Sequence, residues 1–342
     1  MLQVRPKPSI VIVGAGSIGE RHLRCFLATR RVEVSVCELN PSLRTAMAER
    51  YPIHQALESY EEALASQPDA VVICTPAHQH VSMAMQAAER NAHVLIEKPL
   101  STALHGVEEL QRVVSERELV CGVAYVYRAH PALKAMRAAI QSGRFGAPAQ
   151  IVAVSGQNFP FYRPGYRETY YREHQTGGGA VQDALTHIIN AGEWLVGPTD
   201  NLVADLEHLR LEDVSVEDTV HVLTRHENVM GCFSLNQHQA PNETTITVIC
   251  EQGTARFEYH KCRWRWMQHP GDEWHDEPCG VLERDALFMR QADSFLDAML
   301  DQQPPLCSLA EGSQTLRVNL AVLASARRRS WECILHKGQV HA

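Results

Sequence analysis

The chain has 342 residues, 45% of them hydrophobic and 21% charged, with a formal net charge of -8; this is too long for a usual single domain and has the composition of a globular protein with sizeable cores. The negative balance argues against a general nucleic-acid binder, and no apolar run approaches the ~20 residues that cross a bilayer. The polar start MLQVRPKPS lacks a signal-peptide core, and ten cysteines without a C-x-x-C pair read as reduced thiols, so the expected home is the cytoplasm.

In chain order, Ile10 to Val13 predicts a strand, Ser17 to Thr29 a helix and Val32 to Cys37 a second strand. A helix follows Pro41, the Ile53 region reads as a short third strand, and Tyr60 to Ala65 as a helical turn or two. Asp69 to Cys74 and His93 to Ile96 are buried strands, with helices over Val81 to Arg90 and Ala103 to Arg117, and Leu119 to Tyr127 is strand again. Near-continuous apolar strands separated by helices predict a parallel sheet covered on both faces. Beyond Tyr127 the pattern changes. After a helix over His130 to Gln141, longer strands (Ile151 to Ser155, Thr219 to Thr224, Val229 to Gln237, Thr244 to Cys250, Thr254 to Tyr259) are joined by turns such as Glu251-Gln252-Gly253. That order suits an antiparallel sheet. Met267 to Gly280 is the most irregular stretch, and helices over Asp285 to Leu300 and Leu309 to Arg328 close the chain. The expected class is α/β in two domains: 1–125, a doubly wound Rossmann sheet, and 126–342, an α/β domain with a large open, mostly antiparallel sheet. The last helix is free to pack back on the first domain.

IVIVGAGSIGERHL sets Gly14, Gly16 and Gly19 as G-x-G-x-x-G between a strand and a helix opened by Ser17 and Ile18. Such a turn lets a pyrophosphate approach the backbone and the helix N-terminus. Glu38 ends the second strand 19 residues after Gly19, where a carboxylate accepts from ribose hydroxyls and meets a 2′-phosphate with like charge. NAD is therefore the expected cofactor; Arg44 leaves NADP open. Thr75 and Pro76 end the Asp69 strand on the carboxyl edge, where ligands of open α/β sheets bind. His80 follows on the same edge and, with Thr75, Pro76, Glu97 and Lys98, is expected to complete the cofactor-binding set; H-x-H with His78 reads as solvated loop histidines rather than metal.

Lysines number five in this chain, and one of them, Lys98, stands in Glu97-Lys98-Pro99 at the end of an apolar strand on that edge. Farther on, GGGAVQDALTHIIN sets Asp183 and His187 four apart on one helical face. Beside a nicotinamide these groups suit alcohol-carbonyl chemistry. His187 carries the hydroxyl proton, Asp183 orients substrate or imidazole, and Lys98 stabilises alkoxide charge.

GAGSIG with Glu38, then CTPAHQH, EKP and GGGAVQDALTHIIN, resemble the Gfo/Idh/MocA family of glucose-fructose oxidoreductase and inositol-dehydrogenase-like proteins in order and spacing, over essentially the whole chain. The resemblance implies hydride transfer between a nicotinamide and a sugar, sugar acid, cyclitol or nucleotide sugar. It also implies Lys98, Asp183 and His187 as the catalytic set, a cis peptide before Pro99, and a homodimer or homotetramer through the second sheet. Two departures bear on substrate fit: Ala77 and His78 stand where the family shows Asn, and Asn190 where it often shows Asp. Alternatives within the resemblance are an NAD-recycling, glycosidase-like member and a non-catalytic dinucleotide-binding regulator.

NFPFYRPGYRETYYREHQTGGG is rich in Arg and Tyr and is similar to a segment of the family subgroup associated with surface-polysaccharide sugar acids. Tyr162, Arg163, Tyr166 and Arg167, with Arg128, are the substrate candidates, since arginines grip carboxylate or phosphate and tyrosines face a sugar. His260, Cys262, His269, His275 and Cys279 match no zinc spacing, so no metal is expected. No nucleic-acid or membrane partner is expected either.

Overall fold

The computed structural model describes residues 7–301 and 303–334. They form two compact units, one running to Ala129 and including Glu283–Ser313, the other made of His130–Leu282 and the chain from Gln314 on.

In the first unit β1 (Ser9–Val13), α1 (Ser17–Thr29), β2 (Glu33–Cys37), α2 (Pro41–Arg50), β3 (Ala56–Leu57), α3 (Tyr60–Ala65), β4 (Ala70–Ile73), α4 (His80–Glu89), β5 (His93–Ile96), α5 (Val107–Glu116) and β6 (Cys121–Val123) alternate. The strands make one parallel sheet in the order β3-β2-β1-β4-β5-β6. Strand order reverses between β1 and β4, the crevice where such sheets bind ligands at their carboxyl ends. Ile10, Ile12, Val34, Val36 and Val72 form the core together with Leu23 and Phe26 of α1. The third strand is Ala56–Leu57 rather than the Ile53 region. β6 is three residues long because the chain coils into a 3-10 turn at Val126–Ala129. Glu283–Ser313 also belongs to this unit. Phe295 meets Phe26 edge-on at 6.3 Å, and Arg24 holds Asp285.

The second unit opens with α6 (Pro131–Gln141) and β7 (Pro148–Gly156), followed by the short α7 (Phe159–Tyr162) and a run of 3-10 turns. α8 (Thr186–Val196) is preceded by a π-helical turn, Val181–Leu185. Then come β8 (Asn201–Glu207), β9 (Thr219–His226), β10 (Val229–Asn236), β11 (Glu243–Cys250), β12 (Gly253–Glu258), β13 (Arg263–Met267) and β14 (His275–Pro278). α9 (Ala286–Asp301) belongs to the first unit; α10 (Leu309–Arg328) begins there and ends in the second, where β15 (Glu332–Cys333) closes the sheet. The nine strands run β14-β13-β12-β11-β7-β10-β9-β8-β15, with β7–β10 as the parallel pair and the other pairings antiparallel. Alternation sends Val220, Val222, Phe233, Leu235, Ile246 and Val248 into the core. It leaves Val154, Leu223 and Met230 on the opposite face, each about half exposed at 50–52%. Two strands of the sheet, β13 and β14, fall at or within the stretch expected to be irregular, and β8 was not anticipated. No helix among the described residues is long and apolar enough to cross a membrane.

Candidate active site

The glycine turn is built for close approach. Gly14 has φ +87°, and a Cβ there would lie 3.0 Å from the Cys74 carbonyl oxygen; one on Gly19 would lie 1.8 Å from the Gly14 carbonyl oxygen. The turn therefore presses α1 against the ends of β1 and β4. Gly16 caps α1, and its side of the turn is open, with nothing within 4 Å of a would-be Cβ. No side chain caps the helix there, an arrangement of first-turn N–H groups at Ser17, Ile18 and Gly19 that suits an anion. Glu38 ends β2, where its Oε2 accepts from the Ala15 N–H at 2.7 Å and its Oε1 from the Asn40 N–H at 2.9 Å. The carboxylate is thus fixed beside the turn with lone pairs remaining for ribose hydroxyls. Arg44 donates to the Glu38 carbonyl at 2.7 Å and to Glu58 at 3.3 Å, which commits its guanidinium. These residues fit an NAD adenosine and pyrophosphate.

On the same edge β5 delivers Glu97, Lys98 and Pro99. Lys98 is partly buried and the Lys98–Pro99 peptide is cis. Glu97 is 5% exposed and turns inward. Its Oε1 lies 2.7 Å from Nε2 of His22, and its Oε2 accepts the Lys98 N–H at 3.0 Å. His22, on α1, was absent from the sequence candidates; its signal was a position three residues after Gly19 and four before Phe26, on the face that packs inward. His80 corrects the reading of a solvated loop histidine. It is 1% exposed, with Nε2 2.7 Å from the Thr75 carbonyl oxygen and Nδ1 3.0 Å from that of Pro99. Burial pushes its pKa down. His78 is exposed and Pro76 is exposed at the loop.

In the second unit Asp183 sits in the π-helical turn and His187 in the first turn of α8. Such local widenings of a helix recur at functional sites. Asp183 is 3% exposed and accepts the Tyr170 hydroxyl at 2.6 Å. The Asp183 carboxylate also raises the pKa of Arg163, which bonds to Tyr170. Glu217, equally buried, holds the start of this helix: its Oε1 accepts the Val181 N–H at 2.9 Å, its carbonyl the Ala180 N–H at 3.0 Å, and its Oε2 pairs with His174 at 2.5 Å.

The other substrate candidates are engaged elsewhere. Tyr166 is 3% exposed, packs with Phe159 and Tyr171, and donates to the Glu212 carbonyl at 3.0 Å. Arg167 pairs with Glu212 and Asp213, and Tyr162 is exposed beside Phe161. Arg128 is 2% exposed and bonds Glu311 at 2.5 Å and the Leu306 carbonyl at 3.1 Å. Asn190, 0% exposed, donates to Thr315 at 3.0 Å, so that departure from the family pattern sits in packing. Among the described residues no three His, Cys, Asp or Glu side chains gather to hold a metal.

Residues 9–125 match the oxidoreductase family with an NAD-binding Rossmann fold, and residues 133–256 the GFO/IDH/MocA C-terminal domain. An uncharacterized oxidoreductase, ORF334, of Rhizobium meliloti is 33% identical, covering 94% of this chain and 98% of its own. A levoglucosan dehydrogenase solved with NADH and levoglucosan superposes with a TM-score of 0.88 at 21% identity, covering 96% of this chain and 99% of that one. The WlbA dehydrogenase of Bordetella pertussis, solved with NADH and UDP-GlcNAcA, gives 0.85 at 22% identity, covering 97% and 99%. A glycine turn fit for a dinucleotide, a lysine at the sheet's carboxyl edge, the D-x-x-x-H helix and matches in both units lead to one assignment: the chain belongs to the Gfo/Idh/MocA family of NAD-binding oxidoreductases.

Proposed function

We propose that the protein is an NAD-dependent dehydrogenase moving a hydride between the nicotinamide and a hydroxyl or carbonyl carbon of a sugar, sugar acid, cyclitol or nucleotide sugar. The observation that carries this reading is the buried Asp183 carboxylate, held by Tyr170 on the helix that also bears His187. Bound NAD supplies the ring that takes up or returns the hydride. Lys98 provides the ammonium that offsets charge on the substrate oxygen, His187 accepts its proton, and Asp183 orients the reacting hydroxyl. Gly14, Gly16, Ser17, Ile18, Gly19 and Glu38 hold the cofactor, with Thr75 and Pro76 lining its edge. A sensor that only bound a dinucleotide would have no use for this proton-handling set.

Arg163 is the arginine of the Arg/Tyr segment proposed to face the substrate, because its charge acts on the Asp183 carboxylate and it bonds to Tyr170, whereas Arg167 pairs with Glu212 and Asp213. Val154, Leu223 and Met230 share one exposed sheet face, which supports a second copy of the chain docking there. Met230→Asp then yields monomer by light scattering.

The test is absorbance of reduced nicotinamide with NAD and pooled inositols, aldoses, uronic acids and nucleotide sugars. One active pool, silent with Lys98→Met, supports the reading. Silence in every pool with NAD bound favours a cofactor-recycling enzyme, a dinucleotide-binding sensor or a substrate outside the panel.

A further inference from the structure

Two buried histidines of the first unit lie outside the chemistry assigned above. Both hold the backbone on either side of Lys98. Upstream, His22 holds the Glu97 carboxylate at 2.7 Å, and that carboxylate accepts the Lys98 N–H at 3.0 Å. Downstream, His80 lies 3.0 Å from the Pro99 carbonyl and 2.7 Å from the Thr75 carbonyl, donating to one or the other according to its tautomer. His22 belongs to the helix opened by the glycine turn, and Thr75 to the turn that follows β4. Lys98 is thereby tied to the two elements that also shape the dinucleotide crevice. His22 and His80 are each 1% exposed. A buried imidazole in such a position is under strong constraint, because a partner lost there leaves a desolvated polar group.

We infer that His22, through Glu97, and His80 are positioning residues that set where the Lys98 ammonium is presented. The inference rests on the proposed role of Lys98 for its kinetic consequence, though not for its geometric one. A reacting group displaced by about 1 Å forfeits on the order of 10²-fold in rate, whereas the glycine turn and Glu38 hold the cofactor without either histidine. The expected signature is therefore a fall in kcat with NAD affinity kept.

The geometry also ranks the substitutions. A glutamine amide falls near the Nε2 position of histidine and an asparagine amide near Nδ1. His22→Gln keeps a donor for Glu97, whereas His22→Leu does not. His80→Asn keeps the Pro99 contact that borders Lys98, whereas His80→Gln keeps only the Thr75 contact.

The experiment pairs kinetics with a direct view of the lysine. Full-length protein is reductively 13C-methylated, and the Lys98 resonance is identified by its loss in Lys98→Met. In His22→Leu and His80→Gln that resonance shifts toward the position of a solvated lysine. In the same variants kcat falls roughly 10-fold or more while the Kd for NAD stays within about 2-fold. His22→Gln and His80→Asn recover most of both. An unmoved resonance in folded His22→Leu and His80→Gln overturns the inference, as does NAD affinity that falls in step with kcat. If a leucine or glutamine variant does not fold, His22→Asn, whose amide falls near Nδ1 and misses Glu97, and His80→Ala take its place, and the same readings decide. A resonance that moves while Lys98→Met turns over normally leaves the positioning intact and removes the catalytic role of Lys98 instead.

Discussion

The Tyr170 hydroxyl donates to Oδ1 of Asp183 at 2.6 Å, joining the Arg/Tyr segment to the helix that carries the proposed proton acceptor. A hydrogen bond to a charged group contributes about 1.5–3 kcal/mol, and here it pins the carboxylate against the Arg/Tyr segment. Tyr170→Phe is expected to lower kcat about 10-fold with NAD affinity unchanged. Steady-state kinetics alongside NAD titration check this; a rise in KM at constant kcat would mean that Tyr170 serves binding only.

His174 and Glu217 give a pH dependence. The bond to Glu217 raises the His174 pKa above its ordinary value, against the opposing effect of burial. A raised folded-state pKa contributes stability that is full below the unfolded value, near 6.5, and is lost as pH rises through the folded value. His174→Gln lacks this contribution at every pH. The gap in Tm between wild type and His174→Gln should be widest at acid pH and narrow toward alkaline pH. A gap that does not vary with pH contradicts the pairing.

Glu38 accepts the Ala15 N–H of the glycine turn, and in the proposed cofactor site its negative charge would oppose a 2′-phosphate. Glu38→Ala should weaken NAD binding roughly 10-fold and narrow the preference for NAD over NADP. Calorimetric titration with both dinucleotides measures the two effects together. Unchanged affinity for each would remove Glu38 from the cofactor site.

Arg128 belongs to stability rather than to substrate. It is 2% exposed and bonded to Glu311, whose own side chain is 44% exposed, and a buried donor left short of its partner costs about 1–3 kcal/mol. Glu311→Ala should therefore lower stability to denaturant by about that much, whereas removing the exposed Arg112 from its solvent-screened pairs with Glu109 and Glu116 should change it little. Comparable losses in the two variants would contradict this assignment.

Much of this architecture is legible in the residues. The helix over Ser17–Thr29, the strand His93–Ile96 and the helix Leu309–Arg328 lie where periodicity and capping put them. The glycine turn also has the context its motif demands. What escaped is what depends on partners distant in sequence. β13, Arg-Trp-Arg-Trp-Met, alternates two large polar-edged side chains and becomes a strand by pairing with β12 and β14. The π-helical turn around Asp183 has no composition signature; it forms where Glu217, from the far side of β8, holds the helix start. His80 looks like a surface residue in a list of letters, because burial of a histidine depends on partners such as the Thr75 and Pro99 carbonyls that only the fold supplies.

The central claim is that Lys98 stabilises the charge that develops on the substrate oxygen. Its most direct test is single-turnover hydride transfer by Lys98→Met, using the sugar pool active with wild type, alongside the Kd for NAD. The account predicts unchanged NAD binding and a rate lowered at least ~10²-fold, because only charge present in the transition state loses its support. A Lys98→Met enzyme that binds NAD and transfers hydride at a near-normal rate would contradict it.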